Sequence, residues 1–454
     1  MKLLKMPRWI STGAALATLL APSLALAALP IQHWTAASGA RVYFVPSPSI
    51  PMLDINLDFD AGTRFDPRDK AGLATMTAGL LDKGVAAGGG APARSEGELA
   101  DAFADLGAEF GGGVSDDRAS LRLRTLSSPA ERTAAVALMA QVVSRPAYPA
   151  EMVEREKARM TSALREAETR PGAIASRAFS AALYGDHPYG FTPRPDTVQA
   201  VTRDDLVTFH QRHYDAARAV VTLIGAIDRT QAQQIAEQLT ADLPRATRVP
   251  NAEPPAVQPL AAAREIRIAH PAQQAHVLVG QPGIARSDAD FFAILVGNHI
   301  LGGGGFTSRL TTEIREKRGL TYGISSGFAP LLQPGPFQIS VQTRKDQAQE
   351  ALRVLRSELA RFVDAGPSEA EMKAAKANLI NGFPLRLDSN RKLIGNVANI
   401  AWYGLPLDYL DGWTRHVEAV TARQVRTAFQ RVLQPERMVT VVVGAGDSAA
   451  TSSN

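Results

Sequence analysis

The sequence predicts an α+β protein of two homologous tandem domains, each a mainly antiparallel sheet covered by helices on one face. Three observations lead there. First, the chain matches itself without gaps at an offset of 219 residues, where positions 200–228 and 419–447 share 11 identities in 29. Ala200-Val201-Thr202 recurs as Ala419-Val420-Thr421, Gln211-Arg212 as Gln430-Arg431, and Gly225-Ala226 as Gly444-Ala445. The same offset carries Tyr184-Gly185 onto Tyr403-Gly404 and Lys157-Ala158 onto Lys376-Ala377. Chance rarely holds one register over such a length, so the chain reads as a duplication, and two copies are too few for a solenoid. Second, strand patterns come in hairpins and helical patterns in runs, as in antiparallel sheets with segregated helices. Third, Pro244, Pro250, Pro254, Pro255 and Pro259 cluster between the copies. Proline fixes φ and removes donors, so 244–263 reads as a stiff extended linker between a domain at 28–243 and one at 264–447, with a tail at 448–454.

The elements follow in order. Residues 41–45 are a β-branched and aromatic strand. Residues 53–59 alternate apolar and acidic, the pattern of a strand with one wet face. Helical patterns come at 70–82 and 96–106, then a hairpin turning around Gly111-Gly112-Gly113 into a strand at 119–126. Helices at 129–142, 150–168, 173–184 and 203–213 lead to a closing strand at 219–225. The second copy repeats the order, with strands near 265–283, helices near 288–300 and 308–317, strands to 343, further helices, and a closing strand at 438–444.

Composition bounds the function. The 454 residues suffice for two cores, and 45% hydrophobic with 21% charged residues is ordinary for a globular chain. The first 27 residues differ: Lys2, Lys5 and Arg8 precede a mostly apolar stretch and Ala25-Leu26-Ala27, the layout of a cleavable secretory signal. The apolar stretch is too short to favour a spanning helix, so no membrane span is expected after cleavage, and the expected location is the periplasm or the exterior. Removing the three cations lowers the formal charge from +4 to +1, leaving no support for nucleic-acid binding. The chain has no cysteine, which excludes disulfides and thiolate metal sites.

Motifs for chemistry are sparse. None of the eight histidines lies in an H-x-x-E-H or H-E-x-x-H arrangement. His210 and His213 are three apart on a predicted helix and could share a face, but no carboxylate stands at a third-ligand position, and they read as helix surface near Tyr214. His187, in Gly185-Asp186-His187-Pro188-Tyr189-Gly190, reads as structural. Gly302, Gly303, Gly304 and Gly305 lack the G-K-[ST] of a phosphate loop and form a flexible segment able to approach a ligand closely. Ser308 is a helix N-cap candidate for 309–317. Arg315 then lies near a helix end and Tyr322 on the next strand, where a guanidinium can hold peptide carbonyls and a phenol can donate to an oxyanion.

Several stretches resemble the pitrilysin, insulin-degrading-enzyme and mitochondrial-processing-peptidase family of inverted zincins. They are Gly62-Thr63-Arg64-Phe65-Asp66 with Lys70-Ala71-Gly72-Leu73-Ala74, then Glu154-Arg155-Glu156-Lys157, His187-Pro188-Tyr189-Gly190, and Ser308-Arg309-Leu310 through Arg315 to Tyr322. The whole mature chain looks similar to the bacterial two-domain members. In that family the active-site helix reads G-L-A-H-x-x-E-H, with two histidines on Zn²⁺ and a glutamate activating water. Here those positions are Thr75, Ala78 and Gly79, and the distal glutamate position is Ala163. The resemblance therefore implies a chain that binds no cofactor itself. It implies a non-catalytic subunit in which Arg315 and Tyr322 bind unfolded peptide, while a homologous partner carries the H-x-x-E-H helix and its zinc. The alternative is a catalytically dead structural or binding protein of the same fold.

Overall fold

Runs of valine, leucine and isoleucine bounded by turns build two sheets in this chain, which a computed structural model describes over residues 29–245 and 253–444. The signal segment, the middle of the proline stretch and the tail lie outside the described residues. The first half runs β1 (Gln32–Thr35), β2 (Arg41–Pro46), β3 (Met52–Phe59), α1 (Leu73–Gly79), β4 (Gly84–Val85), β5 (Arg94–Ser95), α2 (Glu96–Asp105), β6 (Glu109–Val114) and β7 (Ala119–Leu126). It continues with α3 (Pro129–Ser144), α4 (Ala150–Ala167), α5 (Pro171–Tyr184), α6 (Pro195–Ala200), α7 (Arg203–His213), β8 (Val220–Gly225) and α8 (Arg229–Thr240). The second half runs β9 (Arg264–Ile268), β10 (Gln274–Pro282), α9 (Phe291–Asn298), β11 (Gly323–Phe328) and β12 (Pro336–Arg344). Helices α10 (Ala348–Ala365), α11 (Glu369–Gly382), α12 (Asn390–Tyr403), α13 (Tyr409–Ala419) and α14 (Ala422–Val432) then lead to β13 (Val439–Val443).

The two sheets share one topology. The first has the order β1-β2-β8-β3-β7-β6, and the second, read from its far edge, β9-β13-β10-β12-β11. In each, the closing strand enters the middle of the sheet and makes the single parallel pairing, β2 with β8 and β9 with β13. The repeated Ala-Val-Thr has a mechanical use at both sites. Thr202 and Thr421 each cap a helix, accepting the N–H of Asp205 and Gln424 at 3.2 Å, while those side chains return a bond to the threonine N–H.

Each sheet packs its own helices on one face, and its other face takes a helix from the opposite half. Helix α5 lies on β10 and β13, where Phe179 and Leu183 join Leu278, Val439, Val441 and Val443 in one apolar cluster. Helix α12 lies on β2, β3 and β8, where Ile394, Val397 and Ala401 cluster with Tyr43, Val45, Val220 and Ile224. The two helices are equivalent in the duplication, since 171–184 shifted by 219 residues is 390–403. The fit is close: a Cβ on Gly280 of β10 would stand 2.9 Å from Phe179 Cζ. Buried Asp117 ties the halves again, accepting Tyr189 Oη at 2.6 Å and the N–H of Leu332 at 2.8 Å.

This exchange corrects one expectation. The acidic face of β3 is not wet, because α12 covers it: Asp54, Asn56 and Asp58 are all buried. They are paired instead, Asp54 with Arg124 at 3.1 Å and Asp58 with Arg118 at 3.4 Å, while Asn56 Oδ1 accepts from Arg122. Burial pushes the pKa of Asp54 and Asp58 up, against the pull of those guanidinium groups. A second correction concerns the glycine triplet. Gly111, Gly112 and Gly113 lie within β6, and the hairpin turns four residues later, where the Ser115 N–H donates to Arg118 O. Elements β1, β4, β5, α6 and α8 were not anticipated; the first four are short, whereas α8 carries an Asp228 capping box and a buried face of Ala232, Ile235, Ala236 and Leu239.

Truncating the exchanged helix tests its weight. Phe179→Ala removes a buried ring from the contact between halves and is expected to cost about 3–5 kcal/mol in urea unfolding. A loss below about 1 kcal/mol would show that α5 is not needed to hold the second sheet.

Candidate functional site

Helix α1 is set by a side chain upstream of it. The carboxylate of Asp66 accepts the N–H groups of Gly72 at 2.7 Å and Ala74 at 2.8 Å, closing the start of the helix, and Gly72 takes the φ of +109° that turns the chain into it. Burial pushes the Asp66 pKa up to about 7, opposed by those two donors. The helix buries Leu73, Ala74, Met76 and Thr77 and leaves Thr75 and Gly79 exposed with Ala78 half-buried. Helix α4 runs alongside: a Cβ on Gly79 would lie 3.8 Å from Glu156 Oε1. Glu156 is already engaged by Arg159 through two bonds of 2.7 and 2.6 Å, and Ala163 is exposed further along α4.

Zinc does not fit these residues. A zinc site needs three or four nitrogen, sulfur or carboxylate ligands, and here a hydroxyl, two methyl groups and a hydrogen stand at those positions. The one carboxylate beside them is spoken for by a guanidinium. Among the described residues no group of three or more His, Asp or Glu is placed to hold a metal ion.

The two paired histidines have a different use from the helix surface expected of them. Both are buried: His210 Nε2 meets Val143 O at 2.8 Å and His213 Nδ1 meets Asp60 O at 3.2 Å. They tie α7 to the main chain on two sides. Burial lowers the pKa of each to about 4, against the raising effect of the carbonyl contact. His187 accepts the Tyr189 N–H at 3.1 Å and meets Pro255 O at 2.8 Å, holding a turn against the linker.

In the second half, α9 continues as a wider π-type turn over His299–Gly303. Gly302 and Gly303 are therefore helical and close-packed rather than part of an open loop. A Cβ on Gly302 would meet Ser326 Oγ at 2.5 Å, and one on Gly303 would meet Asn298 Nδ2 at 2.7 Å. Gly304 and Gly305 lead out of that turn, and Gly305 at φ +63° has open space around it. Ser308 starts the next helix with its carbonyl, which accepts the Thr312 N–H, but its hydroxyl bonds Thr311 Oγ1 and Gly305 O instead of capping. Arg315 is half-buried on that helix with its guanidinium 4.6 Å from the centre of the Phe306 ring. Tyr322, just ahead of β11, is 87% exposed and Phe306 66% exposed. The structure thus adds Phe306 to Arg315 as a cation–π platform on the surface. The phenylalanine was legible only as the apolar residue that interrupts a run of glycine and polar side chains.

Strand β6 is the other feature missed at the level of sequence. It forms the edge of the first sheet, packs beside α1, and borders a cavity of about 570 Å³. Three glycines in a row were the available signal, and they mark an edge strand stripped of side chains rather than a turn.

The family description "Peptidase M16 inactive domain" matches residues 200–379. A crystal structure of a peptidase M16 inactive domain from Pseudomonas fluorescens is 35% identical, superposes with a TM-score of 0.87, and is covered over 99% of its length by 92% of this chain. A protease from Helicobacter pylori shares the fold at a TM-score of 0.81 and 18% identity, over 91% of this chain and 99% of that one. An uncharacterized zinc protease of Streptomyces coelicolor is 26% identical over 93% of this chain and 91% of its own length. No helix among the described residues is long and apolar enough to cross a membrane.

The buried histidines set an acid limit. Their unfolded pKa is near 6.5 and their folded value about 4, so their contribution to stability is complete above pH 6.5 and is lost as the pH falls towards 4. Between pH 7.5 and 5.0 each histidine is expected to contribute a drop on the order of 2 kcal/mol in urea unfolding, set against a gain from Asp66, whose folded pKa of about 7 lets it take up a proton over the same range. His210→Gln should reduce that drop; an unchanged pH dependence would remove His210 as its source.

Proposed function

The chain belongs to the peptidase M16 family, and on that footing we propose that it is a non-catalytic, substrate-binding subunit of a heteromeric zinc metalloendopeptidase. Its substrates in this reading are unfolded peptides, held by Arg315 and Tyr322. The metal and the general base belong to a homologous partner with an intact H-x-x-E-H helix. One contrast supports this most: the ligand positions are Thr75, Ala78, Gly79 and Ala163, yet Tyr322 stands 87% exposed and Arg315, seven residues earlier in the chain, is braced by the Phe306 ring. A phenol and a guanidinium presented to solvent can donate to peptide carbonyls and to a developing oxyanion. The open edge of β6 supports the same reading, because an extended peptide can pair with it through main-chain hydrogen bonds. Export to the periplasm or exterior is part of the proposal and rests on Lys2, Lys5, Arg8 and Ala25-Leu26-Ala27.

The alternative, a catalytically dead structural or binding protein, is favoured by one observation. Arg159 pairs with Glu156, the carboxylate beside Gly79, in an internal ion pair along α4. A purely structural role gives no reason to keep Phe306, Arg315 and Tyr322 on the surface.

Affinity capture of the tagged chain from its native compartment separates the two. Recovery of a near-stoichiometric homologue carrying H-x-x-E-H is expected. In the reconstituted complex, Tyr322→Phe should lower turnover by on the order of a hundredfold, the scale of losing an oxyanion donor. Arg315→Ala should raise KM without releasing the partner. Capture of the chain alone, or normal kinetics in both variants, would shift the assignment to the structural role.

A further inference from the structure

The cavity beside β6 has a charge pattern that the proposed function does not use. Its floor is the polar face of the first sheet, where strand register sets three residues abreast in each row. Glu109, Arg124 and Asp54 form one row, Gly111, Arg122 and Asn56 the next, and Gly113, Ser120 and Asp58 the third. Helix α12 covers the central strands of this face and leaves the margin at β6 and β7 open, with Arg391 and Ile394 as its wall. Two of the marginal guanidiniums are matched internally, Arg124 to Asp54 and Arg391 to Glu109. Arg122 is different. It is exposed, forms no ion pair among the described residues, and donates to a neutral acceptor, Asn56 Oδ1, at 3.3 Å.

The glycines complete the arrangement. On this face Gly111 and Gly113 present no side chain, and nothing lies within 4 Å of where their Cβ atoms would be. A lane is therefore open from the free edge of β6 to Arg122. A strand added to β6 would lie about 4.8 Å from it, hence about 10 Å from β7. A glutamate projecting from the added strand over the glycines and an arginine projecting from β7 together span that distance. Few other pairs of side chains would.

We infer that Arg122 selects the bound peptide by a carboxylate side chain laid over Gly111 and Gly113, so that this chain prefers acidic extended segments. The inference rests on peptide pairing at β6 and adds to it a substrate class. The guanidinium fork offers two parallel donors to a carboxylate, a stronger and more directional match than the amide it holds now. Arg391 and Glu109 are each about two-thirds exposed, so their pair is weak enough to open and add a second cation.

The test is binding by the full chain of unstructured peptides carrying a neutral dye, read by fluorescence anisotropy. Three peptides of equal length place Glu, Gln or Lys at alternate positions. The Glu peptide is expected to bind about tenfold tighter than the Gln peptide, with the Lys peptide weakest. Arg122→Gln should erase the preference and leave the Gln peptide's affinity within about twofold, whereas Arg353→Gln, on α10 of the second half, should preserve it. Equal binding of Glu and Gln peptides, or a preference that survives Arg122→Gln or is lost equally in Arg353→Gln, would overturn the selection while leaving peptide binding in place. Binding of none of the three would overturn the peptide-binding reading itself, and the selection with it.

Discussion

The reciprocal exchange of α5 and α12 is the constraint on which this structure depends. A sheet of mixed polarity with helices on one face leaves its other face exposed, and each half solves this with a helix from its twin. Leu278, Val439, Val441 and Val443 pack against Phe179 and Leu183, and Tyr43, Val45, Val220 and Ile224 cluster with side chains of α12. The duplicated units are thus alike in topology and yet complete only together. The Asp117 bonds to Tyr189 and Leu332 reinforce the same contact with buried hydrogen bonds, which are costly to break once water is excluded.

That exchange also shapes the surfaces available for function. Because α12 seats over β2, β3 and β8, Asp54 and Asp58 of β3 are buried and are matched by Arg124 of β7 and by Arg118 just ahead of it, while Arg122 between them meets Asn56. The cover stops short of β6. The edge strand and its glycines therefore border a charged pocket rather than an apolar one. On the other half, the π-type turn at His299–Gly303 packs tightly against β11 and carries the chain out to Phe306, where the ring braces Arg315. Each half thus carries a glycine segment beside an exposed surface, one open at a sheet edge and one closed into a helix.

The M16 relationship gives the missing ligands their meaning. Thr75, Ala78 and Gly79 still face outward from a helix that Asp66 holds as firmly as an active site would require. The packing of α1 uses Leu73, Ala74, Met76 and Thr77, none of them a ligand position. The positions that resemble the family's metal ligands are thus separate from the side chains that pack the helix, so the core does not depend on what stands at them.

Much of this was legible in sequence, and the reason is local. The duplication shows as one register held between the two copies, and the closing strands and the degenerate helix depend on residues close in the chain, whose spacing carries the signal. What misled was solvent exposure. Alternation in β3 looked half-wet, His210 and His213 looked like surface, and the glycines of β6 looked like a turn, because each reading assumed that uncovered polar residues face water. The sequence by itself determined the two-fold repeat of α+β units and the absence of histidine and glutamate from positions 75, 78 and 79. Only the tertiary structure decided which faces are covered, because the covering helices come from the other half of the chain, and no local pattern records which partner will bury a face.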